Sequence, residues 1–216
     1  MKSFIRALGR EAESRATALA TNRGGETATL YFGGGTPSML SDTHLGRLME
    51  TLDRLVPVDK LDEFSFEANP ATFTEKKVRF WRSLGMTRVS LGVQSLDSGI
   101  LHLLGREHTP AQALHSVEML KNAGMAHINM DLMFAIPGQT LSIWEATLKE
   151  AVRAGTDHIS AYNLTYEEDT EFFRSLLRGE KRQDPDEDAS FFELAEHMLA
   201  VSYTHLRAHE TLSDLV

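Results

Sequence analysis

The stretch Thr27-Ala28-Thr29-Leu30-Tyr31-Phe32-Gly33-Gly34-Gly35-Thr36-Pro37 decides the fold. Thr27 to Phe32 is β-branched and aromatic, the composition of a strand, and it runs straight into a glycine run. Ser41 to Val56 then reads as a helix. Leu45, Leu48, Met49, Leu52 and Leu55 fall on one face at i, i+3, i+4 spacing, and Pro57 stops it.

The same strand-then-helix unit recurs down the chain. Phe64 to Glu67 is a second strand; Thr72 with Glu75 has capping-box spacing and predicts a helix to about Gly85. Arg88 to Val93 is a third strand. Thr109-Pro110-Ala111-Gln112 combines a capping box with proline at the first helical position, and its helix turns Leu114, Val117 and Leu120 inward before Gly124. His127 to Met133 is a fourth strand leading to Pro137-Gly138. Thr140 caps a helix that carries Trp144 and Leu148 and ends at Gly155. His158 to Leu164 is a fifth strand, with helical stretches expected around Phe172 to Leu177 and Ser190 to Ala200. The acidic run Asp184 to Asp188 reads as a solvated loop and helix start. This spacing predicts an α/β fold with a parallel sheet and helices outside it. A curved partial barrel and a doubly wound sheet both fit the periodicity.

With 216 residues, 42% hydrophobic and 25% charged, the chain is ordinary for one globular core. A net charge of -9 argues against nucleic acid as a partner, which calls for clustered Lys and Arg. No apolar run approaches the roughly 20 residues of a membrane span, and Met1 to Arg23 lacks the apolar segment of a signal peptide. The expected compartment is the cytoplasm. There is no cysteine, which removes thiolate nucleophiles, zinc ribbons and cysteine-ligated iron–sulfur clusters from these residues. Neither a catalytic side chain nor a metal ligand is assigned. His205 and His209, four apart, read as a chance pairing in the tail.

Polar residues gather where strands end. The first strand ends in the glycines and Thr36, the second in Glu67-Ala68-Asn69-Pro70, the third in Gln94-Ser95. Asp131 interrupts an apolar fourth strand and needs a partner, and Tyr162-Asn163 closes the fifth. In a parallel sheet these ends share one face, the face on which α/β proteins bind ligands. Bland readings stand beside this one. The glycines serve equally as a turn, Glu67 as a helix cap, and Arg106 as a surface residue or an anion clamp. No Lys-Ser/Thr follows the glycines, so they are not a Walker phosphate loop.

Six segments in order carry a resemblance: Tyr31 to Ser38, Glu67 to Pro70, Arg88 to Asp97, Leu104 to His108, Asn129 to Thr140 and Tyr162 to Thr170. Together they resemble the radical S-adenosylmethionine (SAM) proteins of the oxygen-independent coproporphyrinogen III oxidase-like family. Gly92-Val93-Gln94-Ser95, Pro137-Gly138-Gln139-Thr140 and the Leu164-to-Thr170 segment look more like its heme-chaperone branch.

The resemblance implies a partial (β/α)6 TIM-like barrel lacking its first strand. Residues 1–200 would form a truncated core domain, and Val201 to Val216 a non-native tail resembling translated adapter sequence. It implies that Gly34, Gly35 and Thr36 form the loop receiving the SAM methionyl amino group, and that Glu67, Gln94, Arg106 and Asp131 line the SAM pocket. Family chemistry uses a [4Fe-4S] cluster held by three cysteines after the first strand; those ligands are absent here. Implied partners are SAM, heme or a porphyrinogen, and a reductant protein. Heme trafficking is the first expectation. Oxidative decarboxylation of coproporphyrinogen III and a cysteine-free ligand-binding barrel are the alternatives.

Overall fold

The computed structural model describes residues 2–21, 28–55, 58–164, 178 and 185–200. Helix α1 (Lys2–Thr21) precedes strand β1 (Thr29–Phe32). Then come α2 (Asp42–Asp53), β2 (Glu63–Ala68), α3 (Glu75–Ser83), β3 (Arg88–Gln94), α4 (Ser98–Leu103) and α5 (Pro110–Asn122). The last elements are β4 (His127–Phe134), α6 (Leu141–Ala154), β5 (His158–Asn163) and α7 (Pro185–Ala200). The strands form one sheet in the order β1-β2-β3-β4-β5, and the β1–β2, β2–β3 and β4–β5 ladders are parallel. Parallel neighbours need a crossover, which α2, α3 and α6 supply.

Local chemistry sets the element ends. The Ser41 hydroxyl accepts from His44 N–H at the start of α2, and that of Thr140 from Ile143 N–H at the start of α6. The Thr109 box closes in both directions: Thr109 N–H donates to Gln112 Oε1 at 2.9 Å and Gln112 N–H to Thr109 Oγ1 at 3.3 Å. Thr72, by contrast, does not cap α3. Its hydroxyl donates to Asn69 O and also meets Ser38 Oγ, both at 2.7 Å, so Thr74 takes the cap and accepts from Lys77 N–H. On α5, Val117 and Leu120 are buried as expected, while Leu114 is only partly so. The short helix α4, capped by Asp97, is a feature the periodicity does not reveal, because six residues are too few to show a period. The Pro57 stop, the expected helix at 172–177 and the tail from Val201 lie outside the described residues, as does the end of the last quoted segment.

The chain divides into two compact units, Met1–Leu91 with Ser116–Ile128, and Gly92–His115 with Asn129–Val216. In the first, Phe64, Phe66 and Ala68 of β2 alternate with Glu63, Ser65 and Glu67, the period-two pattern of a strand with one apolar face. Trp81 of α3, fully buried, packs against Phe66 and Phe73 at ring separations of 4.8 and 5.2 Å. In the second unit, Met130, Leu132 and Phe134 of β4 are buried and alternate with Asn129, Asp131 and Met133. Trp144 of α6 lies against Phe134 and donates its indole N–H to the Phe191 carbonyl of α7 at 3.0 Å.

Near the beginning of β2, Glu63 accepts from Ser65 Oγ at 2.5 Å and from Arg88 Nε at 2.7 Å. Burial raises its pKa, but these hydrogen bonds and the charges of Arg88 and His127 outweigh that and hold the carboxyl below its ordinary value of 4.5. A depressed carboxyl stabilises the fold fully above its unfolded pKa, and loses that contribution as pH falls through the folded one. Glu63→Gln is therefore expected to destabilise by roughly 0.5–1 kcal/mol at neutral pH, the scale of a partly exposed ion pair. In urea melts the gap should close below pH 4.5. A gap that stays constant down to acid pH would contradict the assignment.

Candidate functional site

In the first unit the glycine loop is built around one carboxylate. Gly34 N–H donates to Glu67 Oε2 at 3.0 Å, and the Tyr31 hydroxyl donates to Glu67 Oε1. A Cβ on Gly33 would lie 2.8 Å from Glu67 Oε1 and against the Tyr31 ring, so its missing side chain is what lets those two groups meet. Gly34 and Gly35 serve differently. Both take left-handed φ, +76° and +60°, with open space where a side chain would stand, so they turn the chain and leave bare backbone groups. Glu67 uses one lone pair on each oxygen and keeps acceptor capacity for a further donor.

Beyond the glycines the loop is locked. Thr36 Oγ1 accepts from Asn69 Nδ2 at 3.4 Å, and Ser38, fully buried, accepts the Asn69 N–H at 3.3 Å. Lys77 of α3 donates to the Ser38 carbonyl at 2.6 Å; burial lowers its pKa, against the opposing charge of Asp42. The structure thus brings Gly34 and Glu67 together directly, and Thr36 to the residue two past Glu67. Tyr31, Ser38 and Asn69 lie inside recognised segments without having been singled out. Lys77 gave no sequence signal, since a lysine on a helix looks solvated.

In the second unit Asp131 has the partner its setting demanded. Asn129 Nδ2 donates to Asp131 Oδ1 at 2.7 Å, and Asn129 is itself held by Ser160, Nδ2 to Oγ at 3.0 Å and Oγ back to Oδ1 at 3.2 Å. The spacing of two along β4 places Asn129 and Asp131 on one face, and the β4–β5 register sets Asp131 opposite Ser160. That spacing was a signal open to sequence reasoning.

Gln94 closes β3 with φ +67°, a left-handed conformation that side chains rarely adopt. Arg106 is half-buried; burial lowers its pKa, and its guanidinium makes no hydrogen bond or ion pair among the described residues. Such a guanidinium suits an anion, since its fork of donors matches a carboxylate. Ala71 (φ +61°) follows β2 and Ala135 (φ +56°) follows β4, so the ends of β2, β3 and β4 all carry strained backbone. Strain of this kind concentrates where ligands bind.

Residues 10–151 match the model of the radical SAM superfamily. The heme chaperone HemW of Lactococcus lactis is 35% identical over 179 residues, covering 82% of this chain and 47% of that protein. HemW of Bacillus subtilis is 34% identical over 168 residues, covering 77% and 44%. The chain spans about half the length of the curated relatives it matches. Among solved structures, coproporphyrinogen III oxidase (HemN) from Escherichia coli superposes with a TM-score of 0.79 at 24% identity, over 93% of this chain and 46% of that one. At that identity the likeness shows the fold, which is the α/β fold of the radical SAM type.

Proposed function

The chain belongs to the radical SAM superfamily, and from that premise we propose that it is part of a heme-handling protein of the chaperone type, with SAM held at the strand ends. The observation that carries the heme reading is the identity, at 34–35%, to proteins named heme chaperones. Oxidative decarboxylation of a porphyrinogen has support at the level of fold alone.

Each unit offers groups suited to SAM. In the first, the bare backbone of Gly34, Gly35 and Thr36, with the spare acceptor capacity of Glu67, matches a cationic amino group. In the second, Arg106 matches a carboxylate, while Asp131 and Gln94 match hydroxyl and base donors. When bound at a cysteine-held [4Fe-4S] cluster, SAM supplies radical chemistry in this family. With no cysteine in 216 residues, the side chains present do not fit that cluster, and no step through it is assigned to them. Among the described residues no helix is long and apolar enough to cross a membrane.

The test of the SAM site is the double variant Gln94→Ala, Asp131→Ala in a reconstituted full-length protein. Losing hydrogen bonds to both groups is expected to weaken SAM binding at least about tenfold by calorimetry. Unchanged affinity would sink the assignment. Hemin titration against coproporphyrinogen turnover in the same protein separates the chaperone from the oxidase.

A further inference from the structure

Gln94 should not hold its conformation unaided. A side-chain-bearing residue at φ +67° is strained by about 1–2 kcal/mol and persists only where its surroundings insist. Ser95 N–H returns to the Val93 carbonyl at 2.8 Å, so Gln94 sits at the centre of a three-residue turn of the more strained kind. The same carbonyl meets a second group, His108 Nε2, at 3.1 Å. His108 is 7% exposed and lies two residues beyond Arg106.

The segment from Gly105 to Thr109 is fastened at both ends. Behind it, Gly105 (φ +65°) ends α4: Gly105 N–H reaches His102 O at 3.0 Å and Arg106 N–H reaches Leu101 O at 2.9 Å, the paired bonds of a Schellman cap. Ahead of it, the reciprocal Thr109–Gln112 box starts α5. Burial, with the nearby Arg106 charge adding to it and the bond to Val93 opposing it, lowers the His108 pKa. The ring is therefore neutral at pH 7, with its proton on the nitrogen facing the carbonyl.

We infer that His108 is a positioning residue: its imidazole, donating to the Val93 carbonyl, locks the turn that presents Gln94 to the loop that carries Arg106. One buried bond thereby sets the placement of both groups. This rests on reading Gln94 and Arg106 as SAM-facing, but the hold on the turn is measurable without any ligand.

The experiment compares His108→Ala, His108→Asn and His108→Gln. Glutamine Nε2 reaches about as far along its side chain as the imidazole Nε2, and asparagine falls short. Hydrogen exchange at the Ser95 amide is read in the 216-residue chain, and SAM affinity in the full-length protein, with far-UV circular dichroism confirming the fold of each variant. Ala and Asn are expected to lower Ser95 protection and SAM affinity about 3- to 10-fold, the worth of one neutral hydrogen bond, and Gln to restore both. Ser95 protection unchanged in His108→Ala overturns the inference, as does protection lost with affinity intact. If the unmodified full-length protein fails to bind SAM, the SAM reading falls by itself, and Ser95 exchange still decides whether His108 holds the turn.

Discussion

Replacing Trp144 by alanine is expected to lower the free energy of unfolding by about 3–5 kcal/mol, the cost of truncating a fully buried tryptophan. The indole is 0% exposed, its ring centre lies 5.7 Å from that of Phe134, and its N–H donates to Phe191 O at 3.0 Å. One side chain therefore joins β4, α6 and α7, and alanine leaves a void and removes the hydrogen bond to Phe191. Trp144→Phe separates the two effects. It keeps most of the apolar area, so its expected cost is about 0.5–1.5 kcal/mol, that of one hydrogen bond. Urea unfolding followed by far-UV circular dichroism reads both. Domains are typically stable by only about 5–15 kcal/mol, so the alanine variant should lose much of its cooperative transition. A loss under about 1 kcal/mol would mean that α7 does not pack on α6 as described.

The second expectation is all-or-none. Anaerobic reconstitution of these 216 residues with iron and sulfide should yield no thiolate-to-iron charge-transfer absorbance, and no SAM cleavage should follow addition of a reductant. The reason lies in ligand chemistry. Clusters of this class are held by cysteine thiolates, and the chain has none. Among the described residues, no group of three or more His, Asp or Glu side chains could hold a metal ion in their place. A stable cluster on this chain would overturn the expectation and require a ligand set the sequence does not suggest. The same reconstitution on a full-length protein that does carry cysteines is the positive control.

These two outcomes differ in what made them foreseeable. The missing cluster follows from composition alone. Trp144 was legible as a residue of the helix capped by Thr140, but its burial and its bond to Phe191, 47 positions away, were not. Glu67 drew notice by its place at a strand end, and Asp131 because a carboxylate inside an apolar strand must be stabilised by something. Their partners, Tyr31 and Gly34 for the one, Asn129 for the other, depend on parallel register and on which side chains share a strand face. Thr72 shows the limit of local rules. Its spacing to Glu75 fits a cap, yet Ser38, 34 residues earlier, draws its hydroxyl away, and Thr74 takes the cap.

By itself the sequence determined the alternation of strands and helices, the caps at Thr109 and Thr140, the family and the incapacity to hold a cysteine-ligated cluster. Each of these depends on the order and type of residues close together in the chain, where periodicity and hydrogen-bonding chemistry act directly. Only the tertiary structure decided which groups hold the glycine loop, that a side chain on Gly33 would displace the Tyr31–Glu67 contact, and that His108 meets the Val93 carbonyl beside Gln94. Those contacts join residues 15 to 39 positions apart. They exist because buried polar groups must find partners, and packing settles which ones are within reach.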